Sequence, residues 1–382
     1  MALNYLAPAP YASFVTRNGS FQSDGNSLIS NVGAGVQAHD LLQSGCTPLA
    51  FNPFANLRNL IDGGDFSINP FQRNIPGLAS SGVIATPIGA TPTYFADRFF
   101  AAGSASSAIL TAAVADASVP GFNQCLKVSR QSGNASVATI NFGQVIETLD
   151  SLRCQGQTVT LSFWAKAGAN FSGGALTAQV IAGSGVNQSA ASLIAGSWTA
   201  ASAVVSAAQP LARSMARYQF SGVVPAGDTQ LAALFSFAPS GTAGADDSVS
   251  INGVQLEIGG SASPFEHIDA QAALEICQRY AWAIPEPAAG VVIGAGANTG
   301  AAAQLFYIAT PVQLMRAPTV TVAAGSFKTN QAGAAVATII SPGVAHTPNA
   351  ISITGNSTGT AGQATLLQGG GGSGWIVASA DF

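Results

Sequence analysis

Acidic side chains are the residues of this chain that could do hydrolytic chemistry, because histidine and cysteine are rare. The sequence has seventeen Asp and Glu residues among 382, against three His and four Cys. Cleavage of a glycosidic bond needs two carboxyl groups about 5–9.5 Å apart. The acids that lie nearest one another are Asp62 with Asp65, Asp97, Glu147 with Asp150, Asp246 with Asp247, Glu257, Glu266 and Asp269. Turns or arginine partners account for Asp62, Asp65 and Asp97, and no pair of acids stands out as catalytic. We therefore expect no enzyme and assign no catalytic residue.

Metal and redox sites are not expected either. No CxxC motif, the spacing typical of zinc sites, joins the four cysteines, which are Cys46, Cys125, Cys154 and Cys277. We predict buried free thiols, with a Cys125–Cys154 disulfide as the alternative. Asp246 and Asp247 could ligate calcium, but a solvated turn is the preferred interpretation. The sequence therefore predicts no metal and no other cofactor.

Two glycine-rich segments imitate phosphate-binding loops. In residues 291–300, VVIGAGANTG, the glycines are spaced GxGxxxG, and no Asp or Glu occurs between Glu286 and Asp381. The acid that binds the ribose in a dinucleotide site is therefore missing, and we predict a strand. Residues 369–375, GGGGSGW, lack the Lys-Ser/Thr of a phosphate loop, so they are interpreted as a flexible turn.

Composition excludes several classes of protein. Charged residues make up 8% of the chain, against about 25% in a typical globular protein. The hydrophobic fraction is 48% and the net charge is −4, which disfavours disorder. Without a basic cluster we expect no nucleic-acid binding, and without an apolar run of about 18 residues we expect no membrane insertion. The N-terminal MALNYLAPAPYAS has no basic region before an apolar one, so export by a signal peptide is not expected.

Short alternating runs separated by Gly, Pro, Ser and Asn turns predict an all-β fold built as an antiparallel sandwich. In residues 158–168, TVTLSFWAKAG, the apolar side chains share one face and Trp164 lies on the polar face. Trp164 could stack on a sugar ring, or pack against another subunit or sheet, and it is the single ligand-binding candidate. In residues 249–258 the apolar phase flips after Gly253, which predicts a β-bulge. A short helix is predicted from an Asp269 N-cap to about Ala281, stopped by Pro285.

Four blocks of sequence resemble, in order, a jelly-roll domain of bacteriophage structural proteins of the tail-fibre, head-fibre and decoration type, which is similar to a carbohydrate-binding module. The blocks are NLIDGGDFSINPFQRN (59–74), TYFADRFF (93–100), TVTLSFWAKA (158–167) and the VQLE, SPFE and CQRY elements within 249–280. Gly63, Phe71 and Phe99 replace the Asn, Trp and Trp usual in that family. The resemblance narrows the sandwich to a jelly roll over residues 57–285. It implies an N-terminal attachment module at 1–56 and a C-terminal β domain at 286–382.

The resemblance also implies a function. We expect a virion structural protein, an exposed fibre or spike subunit that adheres to host-surface polysaccharide without catalysis. Residues 1–56 would contact other virion proteins, and the chain would be assembled in the host bacterial cytoplasm and displayed on the virion surface. Homotrimers are usual among such fibres, and pairing between subunits would cover the uncharged strand edges. A capsid decoration or head-fibre protein that stabilises the particle is one alternative, and a tail-associated glycan depolymerase is another.

Overall fold

The structure is a computed structural model. It describes residues 3–6, 13–16, 19–22, 28–32, 47–48, 58–66, 88–96, 98–300, 303–323, 327–331, 334–337, 340–343, 345–356, 360–372 and 374–381. The chain divides into two compact units, Met1–Leu57 and Arg58–Phe382. Both are built from antiparallel sheets, so the predicted all-β class is confirmed.

The first unit contains short strands, which are β1 (Leu3–Leu6), β2 (Ser13–Thr16), β3 (Gly19–Gln22), β4 (Leu28–Val32) and β5 (Thr47–Pro48). Strands β4, β1 and β5 form one sheet in that order, and β2 pairs with β3. In the β2–β3 hairpin Thr16 lies opposite Gly19. Two residues therefore connect the strands, the connection length most common in tight hairpins.

A two-layer sandwich forms the larger part of the second unit. Its strands are β6 (Thr93–Tyr94), β7 (Phe99–Ala102), β8 (Ile109–Ala115), β9 (Gln124–Arg130), β10 (Ile140–Val145), β11 (Thr158–Ala167), β12 (Leu176–Gly183), β13 (Ser202–Gln209), β14 (Ala216–Val223), β15 (Gln230–Phe237) and β16 (Ser248–Ile258). One sheet has the order β13-β12-β15-β10-β7-β6, and the other has the order β14-β11-β16-β9-β8. This is the jelly-roll type of sandwich that the sequence predicts.

Strand β11 shows how the alternation in the sequence builds the core. Val159, Leu161, Phe163 and Ala165 are fully buried between the two sheets. The ring of Phe163 meets that of Phe235, from the opposite sheet, edge-on at 4.9 Å between centroids. Edge-to-face contact is a preferred geometry for aromatic pairs, and it adds to the burial of both rings.

The predicted β-bulge at Gly253 is confirmed. Ser162 pairs with Gln255 while Trp164 pairs with Asn252, so two residues of β16 face one residue of β11. Gly253 has a φ of 56°, a left-handed conformation that glycine adopts without steric cost. Because the bulge shifts the phase by one residue, both Ile251 and Val254 point into the core.

Within the described residues the helices are short: Thr148–Ser151, the 3₁₀ turn Leu152–Cys154, Ala190–Ile194 and Ala270–Gln278. Asp269 caps the last of these, since its side chain accepts a hydrogen bond from the Gln271 N–H at 2.9 Å. The predicted extension to Ala281 is wrong, because the helix ends at Gln278 and the backbone forms a strand from Ala281. That strand, β17 (Ala281–Pro285), pairs with the last strand of the chain.

The rest of the second unit contains two more sheets. Their strands are β17, β18 (Val292–Gly300), β19 (Ala303–Ala309), β20 (Thr319–Ala323), β21 (Lys328–Gln331), β22 (Ala334–Ala337), β23 (Ile340–Pro342), β24 (Ala350–Gly355), β25 (Ala364–Gln368) and β26 (Trp375–Ser379). The sheet orders are β17-β26-β20 and β22-β21-β25-β18-β19-β24-β23, around a separate apolar core. Strand β18 confirms the strand predicted for the GxGxxxG segment. The three-module boundaries at 56/57 and 285/286 stay predictions.

Candidate functional site

A groove of about 570 Å³ lies on the outer face of the five-stranded sheet, where β8, β9, β16 and β11 run side by side. Lys127, Ser250 and Lys166 form a row across its floor, because Ser250 pairs with Lys127 on one side and with Lys166 on the other. Their chain neighbours Leu126, Ile251 and Ala165 point the opposite way, into the core. The alternation that builds the core therefore also presents these polar side chains outward.

Two ion pairs hold the charged side chains of the groove. Lys127 Nζ lies 2.7 Å from Asp246 Oδ1, and Lys166 Nζ lies 2.5 Å from Asp116 Oδ2. Burial alone would raise the pKa of Asp116, but hydrogen bonds from Lys166 and Ser118 outweigh it and lower the pKa to about 2. Hydrogen bonds from Lys127 and from other donors likewise outweigh burial at Asp246, whose pKa falls to about 2. Both carboxyl groups are therefore ionised at neutral pH.

Arg213 supplies a third cation at the edge of this groove. It lies in the connection between β13 and β14, and that connection is held against the sandwich by the Ala167 N–H, which donates to the Ala212 carbonyl at 2.8 Å. Its side chain is exposed. Among the described residues, no carboxylate lies within ion-pair distance of its guanidinium.

Cys125 also lines the groove but is not a nucleophile. Burial, together with the charge of Asp116, raises the pKa of the Cys125 thiol to about 11, so the thiol stays protonated at neutral pH. Cys125, Cys154 and Cys277 are all buried thiols. The predicted buried thiols are confirmed for these three residues, while Cys46 lies outside the described residues.

The other end of the same sheet face is covered by the chain itself. The segment after β16 crosses over Gln255 and Glu257. The N–H of Ser263 donates to Glu257 Oε1 at 2.8 Å, and the N–H of Glu266 donates to Gln255 Oε1 at 2.8 Å. Arg58 closes the contact from the side, with Nε 3.3 Å from Glu257 Oε2. The VQLE and SPFE elements of the sequence are thus the two halves of one internal contact, and that end of the face is closed to ligands.

Trp164 lies between the open end and the covered end of this sheet face. It is half-buried, opposite Arg217 and Asn252, and it lies outside the groove lining. The bulge glycine is close to it, since a Cβ added at Gly253 would lie 3.1 Å from Trp164 Cδ1 and 2.8 Å from Phe122 Cζ. A ligand-binding role for Trp164 stays a prediction, and the groove lies one pair of residues further along the same face.

The interpretation of Asp246 and Asp247 as a solvated turn is wrong for Asp247, whereas Asp246 lies in a turn with its side chain partly accessible. Asp247 is fully buried and pairs with Arg130 at 2.7 Å. The guanidinium also donates to backbone carbonyls, among them those of Ser136 at 2.6 Å and Gly241 at 3.0 Å. The two adjacent acids therefore face different environments, one in the groove and one in the interior. In the described part of the chain, no group of three His, Cys, Asp or Glu side chains could hold a metal ion.

A second acidic cluster surrounds Arg98. This buried arginine contacts Asp62 at 3.0 Å and Asp381 at 3.7 Å, and its guanidinium stacks 3.5 Å over the ring of Tyr280. Tyr280 in turn donates to Glu147 Oε2 at 2.8 Å. Burial raises the pKa of Asp62 to about 6, although Arg98 opposes it. The cluster joins the sandwich to the end of the chain and lies outside the groove.

The glycine-rich segment before β26 bends at Gly371 and Gly372, as the predicted turn requires, while its flexibility stays a prediction. It encloses the carboxylate of Glu286, to which the N–H groups of Gly370, Gly372 and Gly374 donate at 2.9, 3.1 and 2.9 Å. Backbone N–H groups that converge in this way form an anion-binding concavity. Here the anion is a side chain of the same chain.

Comparison with known proteins does not place the chain in a family. No family model matches it, and no curated protein matches it. Similar solved structures include the enzymatically active domain of bacteriophage CBA120 tailspike protein 4, at 16% identity and TM-score 0.30, over 53% of this chain and 22% of that one. They also include the CBM22-2 xylan-binding domain of Paenibacillus barcinonensis Xyn10C, at 18% identity and TM-score 0.28, over 42% of this chain and 92% of that one. A third is TmCBM61 in complex with β-1,4-galactotriose, at 11% identity and TM-score 0.27, over 42% of this chain and 88% of that one.

Sequence reasoning missed the groove itself. Two of the three lysines in the sequence, Lys127 and Lys166, meet there although 39 positions separate them. The one available signal was the phase of β11, which places Lys166 on the same face as Trp164. Nothing in the sequence brings Arg213 to that face, because its position depends on the connection after β13. No helix in the described part of the chain is long and apolar enough to cross a membrane.

Proposed function

We propose that this protein is an exposed fibre or spike subunit of a phage or phage-like particle, and that its groove adheres to host-surface polysaccharide without catalysis. The observation that carries the proposal is the groove, an open concavity on a sheet face that is covered elsewhere by the chain itself. A concave site with a few fixed polar groups is the usual form of a ligand-binding site.

The polar groups of the groove suit sugar hydroxyls. An ammonium has three N–H donors, and in the groove Asp246 engages Lys127 while Asp116 engages Lys166. The remaining donors of each lysine, with the hydroxyls on the floor, can bond to a polysaccharide. The ion pairs also hold the lysines in place before a ligand arrives, which lowers the entropy cost of binding.

The same ion pairs argue for adhesion rather than cleavage. A glycosidase acid needs a raised pKa so that it carries a proton at working pH. Asp116 and Asp246 have pKa values of about 2, so neither is a proton donor. Asp62 has a raised pKa, as a general acid needs, but it lies outside the groove. The depolymerase alternative predicts new reducing ends when purified protein is incubated with host capsule, and a steady release would reject our proposal.

Exposed apolar side chains in the C-terminal sheets support self-association, and the resemblance to phage fibres favours a homotrimer. Tyr307, Ala295 and Leu366 form a row across three strands, and Tyr307 is 55% exposed. Contact between copies would bury this row, and several weak glycan sites on one particle would then add through effective concentration. Light scattering of the purified chain tests the trimer, and a monomeric mass rejects it.

Mounting through residues 1–56 on the virion surface is the remaining part of the proposal. It follows from the resemblance of the four sequence blocks to phage structural proteins. Electron microscopy of particles that carry a tagged copy tests it, and unlabelled particles reject it. A decoration or head-fibre protein would label the capsid but would not bind host polysaccharide.

The binding test uses the three lysines of the sequence. We expect the full-length chain to bind host cells or isolated surface polysaccharide, and Lys127→Ala with Lys166→Ala to lose at least about tenfold in affinity, or about 1.4 kcal/mol. Lys328→Ala is the matched control, because Lys328 lies on β21, away from the groove. Circular dichroism checks that each variant folds. No binding by the unmodified chain, or equal loss in the control, contradicts the proposal.

A further inference from the structure

We infer that the groove selects acidic glycans, whose carboxylate or sulfate groups bind Arg213. The inference rests on the proposed function, since it names the class of polysaccharide that the same groove would take. It starts from the charges of the lining residues. Three cations and two carboxylates line the groove, so it carries a net positive charge although the whole chain has a net charge of −4.

The excess charge resides on one residue. Lys127 and Lys166 are each neutralised by an aspartate at 2.7 and 2.5 Å, and both aspartates stay ionised far below neutral pH. Arg213 is the lining cation for which the described residues provide no carboxylate. A ligand with no charge would leave its guanidinium unpaired, whereas an anionic ligand would balance it.

The chemistry of the guanidinium narrows the ligand further. Its planar set of N–H donors matches two oxygens of one carboxylate or sulfate at the same time, which a lysine ammonium does not do. The backbone contact between Ala167 and Ala212 keeps Arg213 beside the groove. The arginine is therefore placed to bind an anionic substituent while the ring hydroxyls of the same sugar face the lysines.

The position of Arg213 along the sheet face indicates where an acidic polysaccharide would bind. Arg213 lines the groove at the open end of the sheet face, whereas the segment over Gln255 and Glu257 closes the opposite end of that face. A polysaccharide would therefore cross the open end and present one acidic group at a time to the arginine. Attraction to one exposed cation is screened by salt, so the preference weakens as ionic strength rises.

The experiment measures binding of the full-length chain to matched pairs of polymers. Alginate, polygalacturonate and hyaluronan are each compared with the carboxyl-reduced, neutral form of the same polymer, and dextran sulfate is compared with dextran. We expect at least one acidic polymer to bind about tenfold more tightly than its neutral form, a difference of about 1.4 kcal/mol. The carboxylate and sulfate arms distinguish which anionic group is preferred.

Two variants decide whether Arg213 is responsible. Arg213→Gln should bind both members of a pair equally, while Lys328→Gln, which removes the same charge elsewhere, should keep the preference. Equal binding of acidic and neutral forms by the unmodified chain, or an unchanged preference in Arg213→Gln, overturns the inference but leaves glycan adhesion standing. Failure to bind any polymer, acidic or neutral, together with failure to bind host polysaccharide, instead overturns the proposed function.

Discussion

Substitution of two adjacent aspartates should have very different effects on stability. Asp247→Asn removes the charge that neutralises Arg130 in the interior, where both side chains are fully buried. Breaking a buried ion pair from one side costs about 3–5 kcal/mol, because the remaining charge stays buried without a partner. Asp247 also accepts hydrogen bonds from the N–H and hydroxyl of Ser172, both at 2.9 Å, and an amide cannot replace all of these contacts.

Asp246→Asn provides the matched control one position earlier. Its ion pair with Lys127 is partly exposed, with side chains 35% and 33% accessible. Pairs of this kind contribute about 0.2–1 kcal/mol. We therefore expect the two variants to differ by about 2–5 kcal/mol in the free energy of unfolding, the difference between these two ranges.

Urea unfolding, followed by tryptophan fluorescence and by circular dichroism, measures the difference. With a urea dependence of about 1–3 kcal/mol per molar, the midpoint of Asp247→Asn should fall about 0.7 M or more below that of Asp246→Asn. Equal midpoints would refute the reasoning, because they would show that burial of the Arg130 pair does not govern its contribution. Coincidence of the two signals checks that the transition is cooperative.

Three further predictions concern single positions. Gly253→Ala should lower the free energy of unfolding by about 1–2 kcal/mol, because alanine disfavours the left-handed backbone and its Cβ would press on Phe122. An unchanged urea midpoint would contradict the requirement for glycine at the bulge. Asp62 should stabilise the fold most below pH 4 and lose this effect as pH rises through about 6, since its pKa is raised to about 6 in the folded state. The free energy of unfolding of the unmodified chain minus that of Asp62→Asn should therefore fall by about 1–3 kcal/mol between pH 4 and 7. A difference that does not change with pH would contradict the raised pKa of Asp62. Glu286→Gln should weaken the hydrogen bonds from Gly370 and Gly374, so their amides should exchange with solvent faster while those of β11 do not; equal rates in the variant and the unmodified chain would count against the role of the carboxylate.

Local patterns predicted much of the sandwich. The alternation around Phe163 and the phase flip at Gly253 each depend on the period of a single strand, and the structure has both features. The length of the helix after Asp269 was overestimated, because residues 281–285 pair with β26, almost a hundred positions later. Propensity within a window cannot include such a partner.

The candidate site was largely unpredictable for the same reason. Lys127 and Lys166 meet through the pairing of both strands with β16, and Arg213 reaches them through a connection between strands. The difference in burial between Asp246 and Asp247 depends on Arg130, which lies 117 positions away from Asp247 in the sequence. A pattern of acids identifies residues that could be charged partners, but only the fold decides which partner each one meets.

The pairing of β17 with β26 has a practical consequence for labelling. The first and last strands of the C-terminal part lie side by side, and the Ala380 N–H donates to the Tyr280 carbonyl at 2.7 Å. Asp381 lies 3.7 Å from Arg98 of the sandwich. The polypeptide thus leaves the sandwich and comes back to it. A reporter inserted after Asp381 would emerge beside the point of departure, so its density in a micrograph would mark the side of this part that faces the sandwich.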